Sequence, residues 1–335
     1  MAKPVLTRRR MIAIMAAMAG SAVLHRGARA GVDAPVRWRG SVLGAQASIE
    51  IHHPDRDHAE HLVRDCLAEV RRLERQFSLY LPESAISTLN RTGILLSPES
   101  DMVTLLRTSL QFADLTGGAF DPTVQPLWTL YADYFSSEGA GQEGPPREHL
   151  ALALAKVGYH GLVVGPDRIA LTKHGAAITL NGIAQGYATD QVVATLRRAG
   201  LSTTMVNMGE IRAIGARPDG APWRVGLEDP DQPGEIIETI DLVDRAVATS
   251  AGAGFRFDRQ GQFTHLFDPL TGRSPQLYRT VSVVAPTATE ADALSTAFSL
   301  MPPCRISAAL AGRPDLQAHL VETGGSRLVL GGDQT

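Results

Sequence analysis

Apolar residues recur at three- and four-residue intervals at Ala59, Leu62, Val63, Cys66, Leu67, Val70 and Leu73, a stripe that predicts a helix over residues 57–76. Just before it, Ala47, Ile49 and Ile51 alternate with polar positions, the period of a strand with one buried face. A second helix is expected over 98–114, with Met102, Leu105, Leu106 and Phe112 on its apolar side and Gly117-Gly118 as its stop. Residues 135–147 are Gly, Ser, Glu and Pro with little to bury, and read as a mobile surface loop. Helices near 147–157 and 187–199 flank a strand pair around 162–180. Short β-rich runs follow at 204–207, 223–227, 236–242, 246–249, 263–267 and 280–285. A last helix starts near Thr289, and 318–321 with 328–330 read as a closing hairpin. This interleaving predicts an α+β fold with a mixed sheet and flanking helices, and no compositional break divides residues 31–335 into two domains.

Composition and charge narrow the classes of function. With 44% apolar and 20% charged residues, the 335-residue chain is neither collagen-like, coiled coil nor wholly disordered. Residues 1–30 carry Lys3, Arg8, Arg9, Arg10, Arg26 and Arg29 and no acid. Without those six, 26 of the 32 basic residues remain against 35 acids, so residues 31–335 carry a net charge of -9. An acidic body lacks the basic face that nucleic acid or anionic lipid requires. The first thirty residues read as an address instead: Arg8-Arg9-Arg10 precede a weakly apolar run over 11–24, and Ala28-Arg29-Ala30 offers a cleavage site before Gly31. Paired arginines before such a run predict a twin-arginine signal peptide over 1–30 and export to the periplasm. No later stretch approaches the roughly 18 apolar residues of a membrane helix, so the mature chain, 31–335, is expected to have no transmembrane segment.

Three glycine- or acid-rich segments carry candidate chemistry. Gly117-Gly118-Ala119-Phe120-Asp121-Pro122 follows a helix; the glycines serve as a C-cap, while Asp121 is held extended by Pro122 and presents a carboxylate. Asn181-Gly182-Ile183-Ala184-Gln185-Gly186-Tyr187 joins a strand to a helix, where free N–H groups receive phosphate oxygens, although ordinary turns share this composition. It lacks the endings of a nucleotide-triphosphate loop and of a dinucleotide fold. In Thr289 to Thr296, a Thr289 cap would set Asp292 and Thr296 four residues apart on one helix face, two hard oxygen donors suited to magnesium; the same spacing also makes a plain capping box. His52, His53, His58 and His61 resemble a metal cluster, but His58 and His61 fall opposite the apolar stripe and read as a solvated face. Thr249-Ser250-Ala251-Gly252 is no nucleophile elbow. Cys66 is expected buried and Cys304 in a connection after Pro302-Pro303; nothing demands a bridge between them.

Phe77-Ser78-Leu79-Tyr80-Leu81-Pro82-Glu83-Ser84 with Leu89-Asn90, then 116–122, 181–190, Asn207-Met208-Gly209-Glu210, Ala248-Thr249-Ser250, His265-Leu266-Phe267-Asp268-Pro269-Leu270-Thr271-Gly272 and 291–296 together resemble the ApbE family of FAD:protein FMN transferases, over about residues 37–330. The resemblance implies a single unit related to the tunnelling folds and a magnesium-dependent enzyme. Such an enzyme splits the FAD pyrophosphate, releases AMP and links FMN by a phosphoester to a Thr or Ser of a target protein. It further implies that Asp292, Ser295, Thr296 and the Ala184 carbonyl hold Mg2+, and that Asp292 could help deprotonate the acceptor. Leu43, Tyr80, Ala119, Phe120, Asp121, Asn181, Gln185, Tyr187, His265 and Leu266 fall in segments similar to those that contact FAD. The implied acceptor is an exported or membrane-anchored flavoprotein of a respiratory or reductase complex, nitrous-oxide reduction being one setting, with a target of the form Asp-Gly-x-Thr-Ser/Thr-Gly-Ala-Thr. An FAD pyrophosphatase and a non-catalytic periplasmic flavin-binding or assembly protein are the alternatives. The sequence departs from the family pattern at Leu43-Gly44-Ala45 for Met-Gly-Thr, at Thr179-Leu180-Asn181-Gly182 for Asp-Leu-Gly-Gly, at Ser250-Ala251-Gly252-Ala253 for Ser-Gly-Asp/Asn-Tyr, and at Gln185 for a phosphate-facing Lys.

Overall fold

The alternation at Ala47, Ile49 and Ile51 becomes one strand of a hairpin: β1 (Val36–Val42) pairs antiparallel with β2 (Ala45–Ile51), with Ala45, Ala47, Ile49 and Ile51 all buried. Its two-residue turn, Leu43-Gly44, has positive φ at both positions, and Leu43 N–H donates to Glu74 Oε1 at 2.9 Å, which holds a leucine in a backbone region it seldom occupies. The computed structural model describes residues 35–229 and 232–332; the expected signal peptide lies outside them.

Helix α1 (Arg56–Phe77) buries the expected stripe, with Leu67 at its margin, and Asp55 caps it by accepting from His58 N–H at 3.0 Å. Then come α2 (Ala85–Thr92), β3 (Ile94–Leu96), α3 (Ser100–Leu115), α4 (Gln125–Ser136), α5 (Arg147–Leu154), β4 (Leu162–Val164) and β5 (Arg168–Leu171). They are followed by α6 (Ala184–Arg198), β6 (Thr204–Asn207), β7 (Ile211–Ile214), β8 (Trp223–Asp229), β9 (Gln232–Leu242) and β10 (Ala246–Ser250). The last elements are β11 (Tyr278–Ala285), α7 (Ala288–Phe298), α8 (Pro303–Leu310), β12 (Gln317–Glu322) and β13 (Arg327–Gly331).

Eight strands form the main sheet in the order β1-β2-β6-β7-β10-β11-β12-β13, with separate sheets β3-β5-β4 and β8-β9. The fold class is α+β. Its pairings among the described residues are antiparallel, so the mixed sheet read from the interleaved elements is instead antiparallel, with the helices crossing one face rather than linking parallel strands. Side-chain alternation sorts the two faces. Val206 packs with α1 and α6, whereas its neighbour Met205 points the other way, to Trp223, Val225 and Leu242 of the β8-β9 hairpin. The alanine-rich α7 lies flat on β10 and β11, its Ala291, Leu294, Ala297 and Phe298 fully buried against Ala248, Val281 and Val283.

Several expectations change. Residues 263–267 form no strand, because the Asp258 carboxylate takes the N–H groups of Gln260, Gln262 and Phe263 and leaves Thr264 a single bridge to Arg256. Cys304 sits in the first turn of α8 rather than in a connection; Cys66 is buried and its thiol is pushed up to about 12 by desolvation, and neither cysteine is bridged. The pair expected around 162–180 closes by Leu171, and Ala176 to Leu180 run on without a ladder. Helix α4 was absent from the expected elements: Leu127, Tyr131 and Phe135 recur every four residues, Tyr131 meeting Phe267 at 5.0 Å between ring centres. The expected loop therefore begins after Ser136. No helix among the described residues is long and apolar enough to cross a membrane.

Candidate active site

The centre of the site is the start of α7. Its cap is Thr287, two residues ahead of the position expected for Thr289: Thr287 Oγ1 accepts from Glu290 N–H at 3.2 Å, and Glu290 then pairs with Arg313 at 2.8 Å. Asp190 of α6 accepts from the Ala288 and Thr289 N–H groups at 2.9 Å each and from the Thr289 hydroxyl, and is ion-paired with Arg212. With capping met by these residues, the Asp292 carboxylate is spared for another purpose. It is 4% exposed and accepts from Gly186 N–H at 2.9 Å, at the opposite end of α6 from its basic last turn.

Asp292 and Thr296, one turn apart, line a cleft of about 500 Å3. Leu43 enters it from the β1-β2 turn, Ala119, Phe120 and Asp121 from the loop after α3, Asn181 and Gln185 from the turn into α6, and His265 and Leu266 from the loop before β11. The close approach of this turn to α7 requires glycine: a Cβ on Gly182 would lie 2.9 Å from Thr296 Oγ1 and one on Gly186 2.2 Å from the Ala288 carbonyl oxygen.

Four expected contacts do not line the cleft. Tyr80 is 40% exposed in the loop between α1 and α2. Tyr187 follows Gln185 by two residues, about 200° around the helix, and so turns inward; its hydroxyl donates to Asp101 at 2.6 Å and its ring meets Phe77 edge-on. Ala184 is buried at the head of α6. Ser295 lies behind the wall, its hydroxyl bonded to the Asp292 carbonyl at 3.0 Å and to Ser250 Oγ at 2.8 Å. Ser250, set aside in sequence because its surroundings form no nucleophile turn, ends β10 at the cleft and also meets Thr296 Oγ1 at 3.4 Å.

Glu210 is a further buried carboxylate in the wall; its segment, Asn207-Met208-Gly209-Glu210, carries the family resemblance, but no role was expected of the residue itself. Burial, then the nearby Asp292 charge, push its pKa well up against the opposing Thr249 N–H. Burial likewise raises Asp292 to about 7, opposed by the Gly186 N–H and assisted by Asp190. Burial also raises Asp121 despite hydrogen bonds from Thr123 and the Tyr159 N–H. It lowers His265, whose Nδ1 lies 3.3 Å from the Phe255 carbonyl, so the ring is neutral with Nδ1–H donating and Nε2 left as an acceptor.

Asp121, Glu210, Glu228, Asp229 and Asp292 line the cleft, and among the described residues no Lys or Arg does. A hard divalent cation fits this donor set: a carboxylate and a hydroxyl on one helix face, inside a wall short of positive charge. Among the described residues no three His, Cys, Asp or Glu side chains gather as a metal site, so a cation here would draw on hydroxyl, backbone and substrate oxygens as well.

Residues 43–331 match the ApbE family. The chain belongs to that family. It is 30% identical to the FAD:protein FMN transferase of Vibrio cholerae over 284 residues, covering 81% of this chain and 84% of the relative. To the FAD:protein FMN transferase of Haemophilus influenzae it is 30% identical over 246 residues, 70% of each chain. In three dimensions it resembles the ApbE protein of Thermotoga maritima, with a TM-score of 0.79 at 28% identity over 88% of this chain and 97% of that one. The flavin transferase ApbE of Vibrio cholerae aligns with a TM-score of 0.77 at 26% identity over 89% and 97%. Within an ApbE fold of this extent, the Gln185 amide rests against Gly209, where a Cβ would lie 2.8 Å from Gln185 Oε1, next to Glu210.

Proposed function

We propose that the protein transfers FMN from FAD to a Thr or Ser hydroxyl of an acceptor protein in a magnesium-dependent reaction. The bond formed is a phosphoester between the acceptor oxygen and the FMN phosphorus; the bond broken is the pyrophosphate P–O bond, and AMP leaves. The observation that carries this reading is the Asp292-Thr296 pair, a buried carboxylate and a half-buried hydroxyl beside the Gly182 turn in a cleft without a lysine or arginine among its described residues.

Asp292 and Thr296 would hold the magnesium ion; the Ala184 carbonyl and Ser295, which the family resemblance implies as further ligands, do not line the cleft. Magnesium, when bound, neutralises charge on the pyrophosphate and on the oxygen that departs with AMP. The chain's own groups do the rest. Gly186 N–H keeps the Asp292 carboxylate fixed in direction, and Asp190, accepting from the Ala288 and Thr289 N–H groups, holds the start of α7 on α6. Ser250 and Ser295 form a hydroxyl pair that locks α7 to the end of β10. The neutral His265 ring, with Nδ1 committed to the Phe255 carbonyl, offers Nε2 to the proton of the attacking hydroxyl.

The Arg8-Arg9-Arg10 address supports the periplasm as the place of work and an exported or membrane-anchored flavoprotein as the acceptor. Co-expression with exported flavoproteins, fractionation and mass spectrometry test this reading: it expects an FMN phosphoester on a Thr or Ser of a periplasmic protein. Modification confined to cytoplasmic proteins would contradict the location, and free FMN and AMP with no modified protein would mark a pyrophosphatase.

A further inference from the structure

A two-residue hairpin turn pairs the residues on either side of it and leaves the first turn residue's own N–H without a partner in the hairpin. Between β1 and β2, where Val42 pairs with Ala45, that N–H belongs to Leu43. Glu74, 31 residues further on in the last turn of α1, accepts it through Oε1 at 2.9 Å. The platform under this carboxylate is fixed: the Glu74 backbone carbonyl accepts from Ser78 N–H at 3.0 Å, and Leu73 and Phe77 on the same helix are buried.

Leucine suits this turn poorly. Its φ is +48°, followed by +87° at Gly44, a left-handed pair that Gly, Asn and Asp adopt far more readily. Among the described residues Ser97 and Asp244 are the other non-glycine positions with positive φ, and neither lines the cleft. Leu43 does, and its side chain also packs against both of the large apolar clusters, the one under α7 and the one under α1. The side chain, not the backbone, therefore accounts for a leucine at this position. Glu74 is half-buried and does not itself line the cleft. We infer that Glu74 is a positioning residue for FAD: by taking the Leu43 N–H it holds the turn left-handed and so aims the Leu43 side chain into the cleft where FAD binds.

Untied, the turn would pass to backbone regions that suit leucine, and the conformation that binds FAD would become a minor one. The apparent affinity falls in proportion to the population of that conformation, by about tenfold for the left-handed penalty of one L-residue. A glycine at position 43 removes the penalty and the side chain together, and leaves Glu74 nothing to aim. This inference rests on the proposed function for the identity of the ligand as FAD, and on the turn geometry for the clamp.

Calorimetry of FAD binding to the full mature chain in Mg2+ tests the role. Glu74→Ala and Glu74→Leu, both good helix formers without an acceptor oxygen, should each weaken FAD binding about tenfold. Glu74→Gln, whose amide oxygen still accepts from Leu43 N–H, should stay within about threefold of the wild type. Leu43→Gly should also weaken binding, and Glu74→Ala should add nothing in that background, because the two act through one turn. Full affinity in Glu74→Ala and Glu74→Leu, an equal loss in Glu74→Gln, or losses at the two positions that add would each overturn the proposal. Hydrogen exchange without FAD supplies a second readout: the Leu43 amide should exchange about tenfold or more slowly in the wild type than in Glu74→Ala, and equal exchange overturns the clamp. FAD bound with this pattern but never transferred to a protein would sink the transferase reading and leave the clamp standing, so the two failures are distinct.

Discussion

The Gly186 amide donates to Asp292 Oδ2 at 2.9 Å, and through this bond the first turn of α6 and the carboxylate of α7 hold one another in place. The contact depends on the absence of a side chain, since a Cβ at Gly186 would sit 2.2 Å from the Ala288 carbonyl oxygen and 2.8 Å from Asp292 Cβ. Gly186→Ala should therefore part the two helices, costing about 1 to 3 kcal/mol of stability by overpacking and displacing the carboxylate. Thermal unfolding together with a magnesium titration checks it. Unchanged stability and unchanged magnesium affinity would show that the helix contact does not position Asp292.

Asp292 also links stability to pH. Its folded-state pKa, raised from 3.8 to about 7, favours the protonated form in the folded protein, so this contribution is complete below 3.8 and is lost as the pH rises through about 7. His265 acts in the opposite sense: its pKa is lowered below 6.5, so its contribution is lost as the pH falls. Without magnesium, the melting temperature should fall between pH 5 and about 8, and magnesium should raise it far more at the upper end. Asp292→Asn, which keeps shape and removes charge, should reduce the fall to what Glu210 and Asp121, also raised by burial, contribute, and should abolish the magnesium response while remaining folded. An equal response in the variant would place the cation elsewhere.

Gln185 stands where the resemblance to the family expects a lysine, and the cleft has no cationic side chain among its described residues. FAD binding should consequently depend steeply on magnesium. Gln185→Lys should restore an ion partner for phosphate and raise FAD affinity in EDTA by about tenfold, the scale of one charge-assisted hydrogen bond. Calorimetry with FAD in EDTA and in magnesium distinguishes this from a simple loss of fit, which would weaken binding in both.

Tyr187 faces away from the cleft and its hydroxyl serves Asp101, which Arg72 also engages at 2.6 Å. Tyr187→Phe should cost about 0.5 to 1.5 kcal/mol of stability and leave FAD affinity unchanged. A loss of FAD affinity without a loss of stability would return Tyr187 to the binding site.

Much of this was legible in sequence where one element's own periodicity decides its burial. The α1 stripe from Ala59 to Leu73 and the alternation of Ala47, Ile49 and Ile51 both emerged as read. So did the shared face of Asp292 and Thr296, because residues four apart on a helix stay together wherever its cap lies. What depended on contact between distant segments was not legible. Thr287 rather than Thr289 caps α7 because Asp190, nearly a hundred residues away, already occupies Thr289. Asp258 converts an apparent strand at 263–267 into a loop by gathering three N–H groups. Glu210 and Ser250 join the cleft wall only because β7 and β10 lie side by side in the sheet, a pairing that neither segment announces.

The most direct measurement of the central claim is the product balance of a single reaction. Purified mature chain, FAD, magnesium and an acceptor bearing the Asp-Gly-x-Thr target are incubated, and AMP and FMN-modified Thr are quantified by mass spectrometry. The account predicts AMP and threonine esterified by the FMN phosphate in equal amounts, both lost in EDTA and in Asp292→Asn. AMP released with free FMN and no modified threonine, or a modified threonine formed as readily by Asp292→Asn, would contradict it.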